Sequence, residues 1–285
     1  MGIKNTTIIE ENFVKKNSSS YNLSILISMG RFSYAIMDGQ KQLLMLKSYT
    51  LDNDLSNEKQ LHTALQNIFI EDEILKLSFE KTTVGLFNNQ STLVPNKFYQ
   101  KEATNTYLRN QISSLSKQYI FVDDLKNIDA KNVYAYNEEI YFLIKGYLPH
   151  AHFCHSGTAT LQGFLSLSQK NTKKIYVNVK ENFLQIALLE GKELVFYNAF
   201  PFEDDQTFIY HIMLIYNQFN LPTESVPTFL SGQITTESKL YRILYRYVNH
   251  VEFSALPFAI HFGKKYHDTP THFYFDLFSL ELCES

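Results

Sequence analysis

One block of this sequence comes round twice. Tyr34-Ala35-Ile36-Met37-Asp38-Gly39 lies on Ile186-Ala187-Leu188-Leu189-Glu190-Gly191 at a shift of 152 residues, from 34 to 186. Each block is a strand-like run closed by an acid-Gly pair, and Asp-Gly between alternating segments is a strong hairpin signal. The surroundings repeat as well. Residues 23–29, 31–37 and 42–49 read as three strands in succession, with Phe32, Tyr34 and Ile36 alternating along the second. A helix follows from about Asn57, where Asn57 and Gln60 have capping-box spacing and Leu61, Leu65, Ile68 and Phe69 form one apolar stripe. In the second half, residues 175–179, 183–189 and 193–200 read as strands, and the next helix carries Phe208, Ile212, Ile215, Tyr216 and Phe219 on one face.

The correspondence continues beyond each helix. Residues 82–87 form a short strand signal followed by a polar turn and a helix expected over 96–113. Residues 227–231 do the same, with Gly232-Gln233 and a helix expected over 235–247. Two βββαβα units in one order point to an internal duplication. The reading left beside it is an unrelated α/β protein with similar punctuation. Residues 1–20 are polar and read as a flexible leader, 21–170 as the first lobe with an insertion at about 118–148, and 171–285 as the second lobe. The polar stretch 169–174 is the expected boundary, and an amphipathic tail is expected over 271–283.

Composition narrows the class. With 45% hydrophobic and 19% charged residues in 285, the chain can bury two sizeable cores. A net charge of −3 argues against binding driven by phosphate neutralisation, so no nucleic acid is expected as partner. No run of 18 apolar residues is present, residues 1–20 have no apolar segment of signal-peptide type, and Cys154 and Cys283 are the only cysteines. These features give the expectation of a cytoplasmic protein in a reducing compartment without a membrane span.

Three antiparallel strands, a crossover helix, then alternating parallel strands and helices make a ribonuclease-H-like lobe. Two in tandem resemble the actin-like ATPase fold of sugar kinases, heat-shock chaperones and actin. The chain is similar to an uncharacterised bacterial family of unknown function with that fold, through residues 23–51, 82–98 (with Ser91-Thr92-Leu93-Val94-Pro95) and 174–232. The resemblance implies an α/β protein of duplicated lobes whose active members carry an Asp-x-Gly turn in each lobe. That Asp organises Mg²⁺ and water, and backbone amides cradle phosphate.

Here the first turn reads Ile27-Ser28-Met29-Gly30-Arg31-Phe32 and the second Val177-Asn178-Val179-Lys180-Glu181-Asn182; neither has the Asp, and no Asp-x-Gly occurs in the chain. The double glycine on the adenosine side appears as Leu230-Ser231-Gly232-Gln233, with one glycine of two. The resemblance therefore implies a degenerate nucleotide cleft around Ser28, Gly30, Asn178, Ser231 and Gly232, with no catalytic residues and no ATP or Mg²⁺ cofactor. A non-catalytic scaffold with a protein partner follows as the leading expectation, and a nucleotide-binding switch with little hydrolysis as its rival.

Other constellations have duller readings. Strand alternation would put His150, His152 and Cys154 on one face, all permitted zinc ligands, but tetrahedral sites usually draw on two elements. No metal site is expected. Lys239, Arg242 and Arg246 share a helical face that reads as solvated. Glu203-Asp204-Asp205 suits a helix N-terminus, and Ser114-Leu115-Ser116-Lys117 lacks the companion motifs of serine acyl-enzymes.

Overall fold

The computed structural model describes residues 4–51, 58–109, 112, 116–168, 172–267 and 269–283. The chain divides into two compact units. Unit 1 takes residues 1–159, 259–269 and 280–285, and unit 2 takes 160–258 and 270–279.

Among the described residues, unit 1 contains nine strands. They are β1 (Lys4–Ile9), β2 (Tyr21–Ile27), β3 (Arg31–Asp38), β4 (Leu43–Thr50), β5 (Lys81–Leu86), β6 (Ser91–Pro95), β7 (Gln118–Leu125), β8 (Ala130–Asn137) and β9 (His152–His155). Helices α1 (Glu58–Glu71), α2 (Thr104–Tyr107) and α3 (Glu138–Tyr147) lie between them, and α4 (Ser156–Leu167) follows. The main sheet runs β1-β4-β3-β2-β5-β9 and a smaller one β6-β8-β7. Strands β2, β3 and β4 pair antiparallel, whereas β2–β5 and β5–β9 are parallel.

The physical causes match the sequence signals. Asp38 closes the β3–β4 turn by accepting the amides of Gln40 and Gln42 on Oδ1, both at 2.9 Å. Leu61, Leu65, Ile68 and Phe69 of α1 are buried in one cluster with Leu23, Ile25, Phe32, Tyr34 and Ile36 of β2 and β3. Each such side chain contributes roughly 1.5–3 kcal/mol by leaving water. A polar node sits within this core. Asp72, just past α1, accepts Tyr34 OH at 2.9 Å, Tyr49 OH at 2.7 Å and Lys47 Nζ at 2.8 Å, plus the Ile74 amide at 3.1 Å. Burial opposes its ionisation, yet these four hydrogen bonds outweigh it and hold the carboxyl below its usual range.

Unit 2 has β10 (Lys173–Val179), β11 (Phe183–Glu190), β12 (Glu193–Pro201), β13 (Thr228–Gly232) and β14 (Val251–Phe253), with α5 (Asp205–Gln218), α6 (Lys239–Leu244) and α7 (Phe275–Ser279). Its sheet runs β12-β11-β10-β13-β14. β10 pairs antiparallel with β11 and parallel with β13, and β13 pairs parallel with β14. The order and directions are those of β4-β3-β2-β5-β9 in unit 1. Ile175, Val177 and Val179 face a core completed by Phe208, Ile212 and Ile215 of α5. Asp204 caps α5 in a capping box with Thr207.

Several expectations differ from this structure. Residues 4–9, expected within a flexible leader, pair antiparallel with β4. The helix expected over 96–113 is broken into two 3-10 turns and the four-residue α2, because Thr104-Asn105-Thr106-Tyr107 is a poor helix former. The helix expected over 235–247 shortens to α6, since Ser238 caps it by accepting the Tyr241 amide at 3.2 Å. The insertion begins earlier than expected, because β6 joins the smaller sheet. The units divide within α4 rather than at 169–174. The residues of α7 are buried on every side, not amphipathic. Asn57, Ser114 and Leu115 lie outside the described residues. Among the described residues no helix is long and apolar enough to cross a membrane.

Candidate functional site

In unit 1, Ser28 follows β2 at the tight turn into β3. Its amide donates to the Arg31 carbonyl at 2.9 Å and its Oγ approaches the same oxygen at 3.4 Å. The Gly30 carbonyl accepts the Leu51 amide at 2.9 Å. The turn is thus closed by backbone pairing.

In unit 2, Asn178, Ser231 and Gly232 come together. Asn178 is directly opposite Gln185 on β11 and Ser231 on β13. Ser231 Oγ donates to Asn178 Oδ1 at 3.1 Å, Asn178 Nδ2 to Gln185 Oε1 at 2.9 Å, and Gln185 Nε2 to Tyr197 OH at 3.3 Å. Asn178, Gln185 and Ser231 are fully buried. Burial also raises the Tyr197 phenol far above its ordinary value. These groups form one hydrogen-bonded run across four strands, so their polar atoms are spent on one another.

Gly232 has φ +80°, a left-handed conformation that side chains rarely adopt. A Cβ there would run into the Val179 carbonyl oxygen and lie 2.7 Å from Asn178 Oδ1 and 2.8 Å from the Val179 nitrogen. The next amide, of Gln233, donates to the Val179 carbonyl at 2.8 Å. This glycine is therefore required by the crossing of β10, whatever else approaches it.

The β10–β11 turn is also internally paired. Lys180 is 5% exposed and forms an ion pair with Asp276 of α7, itself 7% exposed. Asp276 Oδ1 accepts the Leu277 amide at 2.8 Å. Glu181, the acid of this turn, accepts Gln233 Nε2 at 3.0 Å. On the far side of Gly232, His272 Nε2 donates to the Ile234 carbonyl at 2.8 Å and its ring stacks on Phe253 with centroids 4.1 Å apart. Burial lowers the His272 pKa. Sequence reasoning gave no role to residues 271–279. Asp276 could have been found only as an acid within an otherwise apolar segment.

The histidine segment resolves differently from a metal site. His150 is exposed and precedes β9, His152 is half-buried, and Cys154 and His155 are buried. His155 Nδ1 accepts the Gly157 amide at 3.1 Å, which leaves Nε2 to donate to the Asn88 carbonyl at 3.1 Å. Both ring nitrogens are engaged. Among the described residues no group of three His, Cys, Asp or Glu is arranged to hold a metal ion.

Sequence reasoning missed Asp123 on β7. Its Oδ2 accepts the His155 amide at 2.8 Å and Thr158 Oγ1 at 2.6 Å, and Asn132 Nδ2 donates to that hydroxyl at 3.0 Å. The carboxyl thereby fastens the smaller sheet to the start of α4. Loss of hydration pushes its pKa up to about 7. Lys239 pairs with Asp205 at 3.0 Å and Arg242 donates to the Glu237 carbonyl, so two of the three cations on the α6 face are already partnered.

A family described as "Protein of unknown function (DUF3822)" matches residues 10–251. No curated protein is similar to the sequence. A protein with an actin-like ATPase fold and unknown function from Bacteroides thetaiotaomicron VPI-5482 superposes with a TM-score of 0.81 at 20% identity, over 95% of this chain and 99% of that one. The PilM-PilN type IV pilus biogenesis complex contains a chain matching with a TM-score of 0.57 at 12% identity, over 92% and 97%. The ethanolamine utilization protein EutJ from Carboxydothermus hydrogenoformans gives 0.50 at 7% identity, over 93% and 90%. The fold is that of the actin-like ATPases, and the chain belongs to the family whose description it matches.

Proposed function

We propose that this member of the DUF3822 family is a catalytically degenerate actin-like ATPase-fold protein that acts as a cytoplasmic protein-interaction scaffold. The observation that carries this reading is the buried Lys180–Asp276 pair at the turn where phosphate binding would be expected. A cation held by its own carboxylate has no charge left over for phosphate, and separating the pair leaves a buried charge uncompensated. The Ser231–Asn178–Gln185 run and the Cβ-intolerant Gly232 support the same conclusion, since each is explained by the packing of unit 2 itself. The shared strand order of the two sheets supports an origin by internal duplication.

The scaffold half rests on surface chemistry. In unit 1, Phe142 is 57% exposed and Tyr119 41%, and both rings lie tilted against Tyr141 with centroids 5.1 and 4.6 Å away. Exposed aromatic clusters of this kind are what protein interfaces bury. The PilM-PilN complex supports the view that this fold can serve in assembly. The test has two arms. Purified protein with Mg²⁺ and ATP is expected to release no phosphate above a blank. Tyr119→Ser with Phe142→Ser is expected to abolish capture of a partner that the unaltered protein retains, at unchanged thermal stability. Turnover at rates usual for enzymes of this fold would overturn the reading.

A further inference from the structure

Cys154 and Cys283 are 129 residues apart in sequence, yet Cys154 Sγ donates to Cys283 Sγ at 2.8 Å. Both are free thiols and both are buried, at 1% and 3% exposure. The contact is not held by the sulfurs alone. Cys154 is fixed in β9, opposite Gly85 of β5. Cys283 follows a short 3-10 turn, Leu280–Leu282, whose Leu280 is buried. Lys81 Nζ donates to the Cys283 carbonyl at 3.0 Å. Glu281 accepts Ser24 Oγ at 3.2 Å, Asn22 Nδ2 at 3.1 Å and Lys41 Nζ at 2.6 Å. Leu280 fills the space above Gly85 that any side chain there would need. Two thiols held this close by independent anchors need only a side-chain adjustment to reach the bond length of about 2.05 Å.

We propose that Cys154 and Cys283 form a redox-active dithiol that closes to an intramolecular disulfide when the protein meets a low-molecular-weight disulfide. The Cys283 thiolate attacks one sulfur of the small disulfide, forming a mixed disulfide and expelling one small thiolate. The Cys154 thiolate then attacks the Cys283 sulfur and expels the second. The two protein thiols lose two protons and two electrons, and the oxidant leaves as two thiols. Burial holds the Cys154 thiol well above its ordinary pKa, which suits the resolving rather than the attacking role. The product would clamp residues 280–283 onto β9 within unit 1.

The full chain is incubated in glutathione buffers from fully reduced to fully oxidised, both as the native protein and during refolding from urea. It is then quenched in acid, and free thiols are alkylated under denaturing conditions. Expected is a monomer that has lost two hydrogens in mass and both alkylation sites, with a melting temperature raised by roughly 10–20 °C, since a closed loop of this length constrains the unfolded chain strongly. Cys283→Ser should show neither change. Two thiols that remain alkylatable in the most oxidising buffer, before and after refolding, would overturn the proposal. So would a stable glutathione adduct on the unaltered chain, or disulfides found only between chains.

Discussion

Replacing Asp276 by Ala removes the partner of a lysine that is only 5% exposed. The ammonium of Lys180 would then lie among buried groups of unit 2 with its main counter-charge gone, which costs about 3–5 kcal/mol when one member of a buried pair is deleted. In a chain of this size each kcal/mol lowers the melting temperature by about 2–4 °C, so Asp276→Ala should lower it by roughly 6–20 °C. The double variant Lys180→Met with Asp276→Leu replaces both charges by apolar groups of similar length, and should recover most of that loss, ending near the unaltered protein. The assay is a double-mutant cycle, with Lys180→Met as the fourth corner, read by thermal and urea unfolding. A single variant that melts within about 2 °C of the parent, combined with additive effects in the cycle, would refute the pairing and with it the account of the β10–β11 turn.

Three further outcomes follow from the same structure. Gly232→Ala should destabilise by at least about 2 kcal/mol in urea unfolding, because a positive φ and a blocked Cβ act together. Asp72→Asn should cost about 3 kcal/mol near neutrality. The Asp72 carboxyl sits below its usual range, so its stabilisation is present above the unfolded value and is lost as pH falls through the folded one; the variant's acid limb should be flatter in a stability–pH curve. Asp123 has the opposite sign. Its folded pKa near 7 exceeds the unfolded 3.8, so the folded state holds the proton longer and stability falls as pH rises between about 4 and 7. Melting temperatures of Asp123→Asn should therefore gain on the parent across that window and keep that gain, parallel to the parent, above it.

The hairpins following 34–39 and 186–191 were legible because both segments end in an acid-Gly turn, and local chemistry alone dictates that turn. Helix α1 was legible because Leu61, Leu65, Ile68 and Phe69 keep helical spacing. The small sheet was not, since β6 and β8 meet across more than thirty intervening positions and β6 reads locally as a turn. The positions Asn178, Ser231 and Gly232 were named from the family resemblance and lie on the neighbouring strands β10 and β13, whereas what fills their surroundings was invisible. Lys180 and Asp276 are 96 residues apart, and nothing local in a buried Phe-Asp-Leu-Phe segment names its partner. Asp123 was hidden for the same reason: its role depends on His155 and Thr158, which belong to other elements.

The most direct test of the central claim is thermal unfolding of the full chain with ATP, ADP and GTP, each with Mg²⁺ at millimolar concentration. A ligand that binds only the folded state raises stability with the logarithm of its concentration over its dissociation constant. If the Lys180–Asp276 pair excludes phosphate as proposed, the melting temperature should stay where it is in buffer with Mg²⁺ alone. A saturable rise with any of the three nucleotides would show a working nucleotide site and contradict the account.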